Sequence, residues 1–504
     1  MQAAQAARKE GTARRRERGG RAARHESRAR GRQQAGPPYI ERTIPPYEIM
    51  SEDGLVRIEA AADRILADVG IEFRGDPVAL GYFKKAGARV DGDRVRFEPG
   101  LLREILRTAP PEFVQHTRNP ANSVRIGGNA VVFAPAYGSP FVMDLDDGRR
   151  YGTIEDFRNF VKLAQSSPWL HHSGGTICEP VDLPVNKRHL DMVYSHIRYS
   201  DRPFLGSVTA ESRAEDSIDI CRVLFGAEFV DANCVIMGNV NANSPLVWDG
   251  TVTSVIRAYA RANQGAVVVP FILGGAMGPV TTAGMIAQSL AETMAAGALA
   301  QLERPGAPVV LGNFLSTTSL RSGSPTFGTP EPAAGSIVFG QLVRRLNLPF
   351  RSSGNFSNSK LPDAQAMTES TLSMLTAVHC GANFVLHSAG FLDGLLSMSY
   401  GSSSWTPISA APCTPTWTAS ASTTTASPST PSPRSGPATT SSAAPTPWPI
   451  TRPRSGTATS PTSTRSSSGP RRARRMPPPA PTGCGGRGWP TTRRRPSIRP
   501  STRR

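Results

Sequence analysis

One rhythm constrains this chain more than any other feature. After Gly128, short apolar stretches, Gly/Asn/Pro-rich turns and amphipathic helical segments recur in that order. The apolar stretches fall at 131–134, 172–177, 204–208, 234–238, 267–272, 309–313, 350–353 and 384–388, eight in all. Helical spacing marks 154–166, 187–199, 213–225, 251–262, 283–302, 336–346 and 364–380 between them. Eight strands alternating with helices predict an α/β fold, the (β/α)8 TIM barrel, spanning 129–400. A doubly wound open sheet is the main rival, but no GxGxxG follows the first strand.

Ahead of the barrel, residues 37–128 read as a small N-terminal α/β cap. Ser51 opens a helix with apolar positions Leu55, Ile58, Ala61, Ile65 and Leu66, short strands flank the turn Asp91-Gly92-Asp93, and a second helix runs over 99–109. An eighth barrel helix is expected to start near Phe391 and to be cut short.

The net charge of +18 resides in the ends of the chain. Residues 1–35 carry +8 and residues 401–504 carry +15, with 15 Arg and no Lys, Asp or Glu, which leaves the body between them at −5. Residues 1–36 are expected to be a disordered basic tail, because they lack the large apolar residues that folding must bury. The tails also raise a reading of a different class, a non-catalytic nucleic-acid-binding protein on a barrel scaffold.

Cys178, Cys221, Cys234, Cys380, Cys413 and Cys484 show no CxxC pair and no zinc spacing, so reduced thiols and no bound metal are expected. No secretory core and no apolar run of transmembrane length is present; Glu10, Glu17 and Glu26 argue against a transit peptide, and a cytoplasmic location is expected. No G-x-S-x-G elbow supports a serine nucleophile. His171 and His172 begin a strand, at the barrel end that serves stability.

At Gly401 the composition breaks into a low-complexity Ser/Thr/Pro/Ala/Arg segment running to Arg504. Written as freely chosen synonymous codons and regrouped after two bases, GSSSWTP permits KFVMDA, and 438–456 permits HFLGxAHTMANYETAFW. Helix-like, charge-balanced text recovered in one frame points to a frameshift after Tyr400.

The motifs GNVNANSPLVWDG, GGAMGPVTTAG, RSGSPTFGTPEP and SKLPDAQA, together with the recovered KFVMDA and HFLG-AHTMANY, resemble the trimethylamine:corrinoid methyltransferase family. The resemblance covers 44–400 in the given frame. It implies transfer of a methyl group from a tertiary or quaternary amine, trimethylamine or betaine type, to the Co(I) of a separate corrinoid protein. A homo-oligomer is expected. Members acting on trimethylamine carry pyrrolysine; this chain shows none and looks more like the non-pyrrolysine branch, impaired here by the shifted frame.

Such chemistry needs a cation-tolerant pocket more than an acid or base. Aromatic faces attract quaternary ammonium by ~0.5–2 kcal/mol each. Candidate substrate-binding rings at strand ends are Tyr137, Trp248, Phe314 and Phe356, with Glu179, Asp249, Glu331 and Asp363 as carboxylates. Asp249 and Asp363 also read as helix N-caps. Asn239, Asn241 and Asn243 share one face if the strand continues, and otherwise serve a turn. Gly274, Gly275 and Gly278 lead into a helix and are candidates for corrinoid binding, or for close packing.

Overall fold

The computed structural model describes residues 37–403, so residues 1–36 and 404–504, and with them the expectations for both tails, lie outside the described residues. Seven parallel strands form most of a ring: β1 (Ala130–Phe133), β2 (Phe204–Leu205), β3 (Ile236–Asn241), β4 (Gly265–Val269), β5 (Val309–Gly312), β6 (Phe350–Ser353) and β7 (Phe384–Leu386). Each pairs with its neighbour, and β7 returns to β1.

The stretch expected as the second strand closes the ring without becoming a regular strand. His171 and His172 donate their backbone N–H to the Phe133 carbonyl, Ser173 donates to Pro203, and Leu205 donates to Gly174. The His171 Nδ1 accepts the Phe133 N–H at 2.9 Å and so replaces a backbone acceptor. Gly174 sits at φ +94° where a Cβ would meet Pro135 at 2.8 Å, so the HHSGG sequence trades ladder regularity for a kink. Both histidines therefore belong to the closure seam.

Strand alternation sorts the side chains. Val132, Met237, Val267, Val269, Val310, Phe384 and Leu386 form a cluster inside the ring, while Ile236, Val268, Val309, Leu311 and Val385 pack outward in a second cluster with the helices. The helices are α1 (Ile154–Ser166), α2 (Arg188–Tyr199), α3 (Glu211–Phe225), α4 (Gly250–Arg261), α5 (Thr282–Glu303), α6 (Pro330–Arg345) and α7 (Ala364–His379). Sequence periodicity anticipated all seven within a turn or two, because each has one apolar stripe or is buried throughout. Buried throughout describes α5, whose residues from Met285 to Gln301 are all buried.

Residues 37–128 explain that burial. Helix Glu52–Arg64 and helix Leu101–Leu106 pack on α5, and Leu55, Ile58, Phe73, Phe83 and Phe97 share one core with the barrel helices. Hairpin Glu112–Gln115/Val124–Gly127 plugs the amino-terminal end of the ring, where Val124 and Ile126 join the interior cluster and Gln115 Nε2 donates to the Phe204 and Val235 carbonyls. With that end filled, the carboxyl ends of the strands form the mouth.

The expected helix at Phe391 is replaced by an antiparallel hairpin, Phe391–Leu392 with Ser397–Ser399, and a helical turn begins only at Tyr400. The reason is local: Asp393 and Gly394 both adopt φ near +60°, the mirror-image turn that Asp-Gly favours. The hairpin joins a second one, Phe141–Asp144 with Gly148–Tyr151, beside the mouth. The cysteines at 178, 221, 234 and 380 are buried and unpaired. Among the described residues no helix is long and apolar enough to cross a membrane.

Candidate active site

At the mouth, the residues just beyond β1, β4, β5, β6 and β7 converge. Phe314 stacks on Phe356 with centroids 4.9 Å apart and planes 7° from parallel, and Phe271 approaches Phe314 at 4.7 Å. Phe327 and His387 flank Phe356 at 5.0 and 5.5 Å, and Phe391 lies 4.8 Å from His387. Tyr137 and Phe314 pack against the cluster inside the ring. The Tyr137 hydroxyl, hydrogen-bonded to Thr176, is pushed up to about 12 by burial, with nearby Glu179 adding to the effect.

A guanidinium lies beneath these rings. Arg351 is on β6 and points inward: a Cβ on Gly312, itself against Val269, would meet the Arg351 Cδ at 3.0 Å. Its Nη1 donates to the Asn313 carbonyl at 2.9 Å, its Nη2 lies 2.9 Å from His387 Nε2, and its Cζ is 5.8 Å from the Phe314 centroid. Burial pushes its pKa down to about 9. His387 also accepts the Tyr137 N–H at Nδ1, 3.2 Å away, and adopts φ +62°, a strained setting for a residue with a Cβ. Burial first, and the charge of Arg351 second, hold its pKa well below the histidine range.

Polar atoms without partners border the site. Asn239 Oδ1, Asn313 Nδ2 and Oδ1, Ser353 Oγ and Thr329 Oγ1 are buried and unpaired among the described residues. Asn313, Ser353 and Thr329 line a small cleft that Phe314 and Phe356 also wall.

The sequence-derived candidates divide accordingly. Phe314 and Phe356 stack at the mouth, Tyr137 packs on the same interior cluster as Phe314, and Asn239 is buried on β3 with Asn241 exposed two residues further along. Glu179 borders them but is held by Arg188 Nη1 at 2.5 Å. Asn243 leaves the shared face: its Oδ1 accepts the Asp249 N–H at 3.1 Å and shapes the loop. Trp248 is fully buried outside the ring, in the core shared with residues 37–128, and its indole donates to the Glu292 carbonyl at 3.2 Å. Its strand, Val247–Asp249, pairs with Ile71–Arg74, which carries the ring away from the mouth.

Asp249 and Asp363 cap α4 and α7 by accepting from Val252 N and Ala366 N. Glu331 is exposed in the first turn of α6, beside a groove lined by Ile49 and Met50. Gly274, Gly275 and Gly278 form a tight loop in which the Gly275 N–H bonds to the Gly278 carbonyl, and Cβ atoms on Gly274 and Gly278 would strike Met285 and Ile272; they serve packing. Of the four candidate carboxylates, Glu179 borders the mouth in an ion pair with Arg188, Asp249 and Asp363 cap helices, and the buried guanidinium of Arg351 lies among the mouth's rings.

Arg351, His387, Phe271, Phe327 and Phe391 were missed in the sequence. Arg351 left a signal, since a lone arginine inside the apolar start of a barrel strand, PFRSS, has to be buried. His387 left none, because its role comes from neighbours on other strands.

A model of the trimethylamine methyltransferase family matches residues 16–402. The chain belongs to this family. Among relatives, it is 41% identical to the glycine betaine methyltransferase of Desulfitobacterium hafniense, over 71% of this chain and 74% of that one. It is 29% identical to the proline betaine:corrinoid methyltransferase of Eubacterium limosum, over 67% and 71%. It is 27% identical to trimethylamine methyltransferase MttB1 of Methanosarcina mazei, over 68% and 71%. Within the trimethylamine methyltransferase family the barrel mouth is thus the place to look for this chain's chemistry, consistent with the plugged opposite end. Among the described residues no group of three or more His, Cys, Asp or Glu could hold a metal ion.

Proposed function

We propose that this chain moves a methyl group from a tertiary or quaternary methylated amine, of trimethylamine or betaine type, to the Co(I) of a corrinoid carried by a separate protein. The observation that carries the reading is the aromatic cluster at the mouth, above all the Phe314–Phe356 pair at 4.9 Å, with Tyr137 packed on the same interior cluster as Phe314. Family membership supports the reaction class, and the relatives named for betaines and trimethylamine support the substrate type.

The acceptor, a Co(I) corrinoid, supplies the nucleophile for an in-line displacement. The chain's own task is to bind, orient and keep water away. Ring faces attract the cation in the ground state, and fixing its direction removes the entropic cost of alignment. A quaternary ammonium leaves as a neutral tertiary amine, and a tertiary amine leaves neutral when it enters already protonated as its ammonium ion, so no acid is required from the chain at the nitrogen. A neutral His387 suits this, because it brings no positive charge against the cation.

Loops beyond the strands carry exposed Val280, Leu320 and Leu361, an apolar rim suited to docking the corrinoid protein over the mouth. The cytoplasm and a homo-oligomer remain part of this reading. So does impairment of this copy by a frame shifted after Tyr400, which replaces the barrel's last helix.

The test is methyl transfer to Co(I) cobalamin, followed by the absorbance of methylcobalamin, with glycine betaine, proline betaine and trimethylamine, using this chain and one with the frame restored. Transfer from at least one amine is expected from the restored chain. No transfer by the restored chain from any of the three overturns the proposal.

A further inference from the structure

Helix α2 buries His189, Met192, Val193, Ser195 and His196 and turns Leu190, Tyr194 and the half-buried Ile197 outward, at i, i+4 and i+7 along one stripe. The outer side of a barrel helix meets water, yet Leu190 is 39% and Tyr194 56% exposed there. Helix α3 widens the strip. His189 Nε2 lies 2.8 Å from the carboxylate of Asp216, 27 positions on, and Ile197 shares a small pocket with Leu224 at the same offset, so the two helices run side by side in parallel. That register sets Ile220 and the 90% exposed Val223 beside the stripe. Contiguous exposed apolar surface marks an association site, and Tyr is enriched where proteins meet.

Charge points to the occupant. Asp191 and Arg198 both stand on the side of the stripe away from α3, and neither side chain has a hydrogen-bond or ion-pair partner among the described residues. They are ~10 Å apart along the helix, too far to pair with each other. We propose that this face pairs with the same face of a second copy, the two α2 helices lying antiparallel about a two-fold axis that crosses them beside Tyr194. Such an axis sets Asp191 of each copy against Arg198 of the other, two ion pairs in all, on one edge of the contact. On the other edge it sets Ile220 of each copy against Val223 of the other, with the two Tyr194 rings at the centre. An isologous contact requires this internal symmetry of acid, base and apolar stripe, and an unrelated partner does not. The inference takes the homo-oligomer of the reading above and names its interface; it does not depend on the amine chemistry.

Sedimentation equilibrium of the full chain over a concentration series tests this without methyl transfer, so its failure leaves the amine reading standing. The unaltered chain is expected to form dimers or multiples of them. Asp191→Arg and Arg198→Asp each set like charges face to face at two places, and each should weaken the pairing about tenfold or more. Both substitutions in one chain restore the two ion pairs and should return the affinity to within about threefold of the unaltered chain. An equimolar mixture of the two single variants should form heterodimers for the same reason. A role for these side chains within one chain predicts neither rescue. Tyr194→Asp should abolish the pairing, with circular dichroism unchanged because the position is exposed. A monomer at every concentration, association indifferent to all of these variants, or single variants that weaken pairing without rescue by the charge swap overturns the inference.

Discussion

The Nη2 of Arg351 lies 2.9 Å from the Nε2 of His387, while the other ring nitrogen of His387 faces the Tyr137 N–H at 3.2 Å. An imidazolium has no acceptor, so the Nδ1 that accepts the Tyr137 N–H belongs to a neutral ring, whose one acceptor nitrogen that bond uses. The pair is therefore one fixed cation beside one uncharged ring. Because His387 titrates far below neutrality and Arg351 only at about 9, glycine betaine affinity is expected to be flat from roughly pH 6.5 to 8.5. Calorimetry across that range checks it; a step near pH 7 would show a charged His387.

Trp248 offers the contrasting case. Its ring fills the core between barrel and cap, so Trp248→Ala should cost about 3–5 kcal/mol of unfolding free energy. In protein that still folds, the ratio of glycine betaine to choline affinity is expected to stay unchanged. A changed ratio would return Trp248 to the mouth.

Asp156 ties the start of α1 to the last described turn. Burial raises its pKa, but hydrogen bonds from Arg150, Thr153 and Tyr400 outweigh that and hold the carboxyl well below its usual range. Asp156→Asn should destabilise by about 3 kcal/mol and Tyr400→Phe by about 1 kcal/mol in urea unfolding. A depressed carboxyl stabilises fully above its unfolded pKa of about 4, and the contribution fades as the pH falls below that. The difference between Asp156→Asn and the unaltered chain should accordingly shrink in acid, and a difference independent of pH down to unfolding would refute the charge assignment.

Buried histidines act in the same direction at higher pH. Burial lowers His171 to about 3 and His196 to about 4, and His172 well below the usual value. The unfolded chain takes up these protons near pH 6.5 and the native one does not, so stability is full above that pH and declines below it. Each histidine contributes a slope approaching about 1.4 kcal/mol per pH unit below pH 6.5. Urea midpoints at pH 7.5, 6.5 and 5.5 should fall modestly over the first interval and more steeply over the second.

Restoring one base near codon 401 is expected to raise solubility and sharpen the unfolding transition. The sequence past Tyr400 lacks the apolar periodicity of a barrel helix, and the helix that the proposed frame would restore buries apolar surface worth ~25 cal/mol per Å². Soluble yield and denaturation slope measured side by side decide it; equal values would argue that the shifted text is the natural tail.

Local pattern made much of this legible. The helices carried a 3.6-residue apolar period, and the strands were short apolar runs bounded by turn residues, both properties of consecutive residues. The Asp249 and Asp363 caps were readable for the same reason, as side chains bonding to N–H groups three residues on. The segment 391–399 failed because an Asp-Gly turn signal was passed over in favour of the barrel rhythm.

By itself the sequence determined the barrel, its order of strands and helices, and which rings stood at strand ends, because periodicity and turn chemistry act over a few residues. Only the tertiary structure decided that Trp248 turns outward while Phe314 and Phe356 stack at the mouth, and that the guanidinium of Arg351 lies among the mouth's rings. Those outcomes depend on which face of each strand points into the ring and on what residues 37–128 cover, and contacts between residues 36 to 250 positions apart set both.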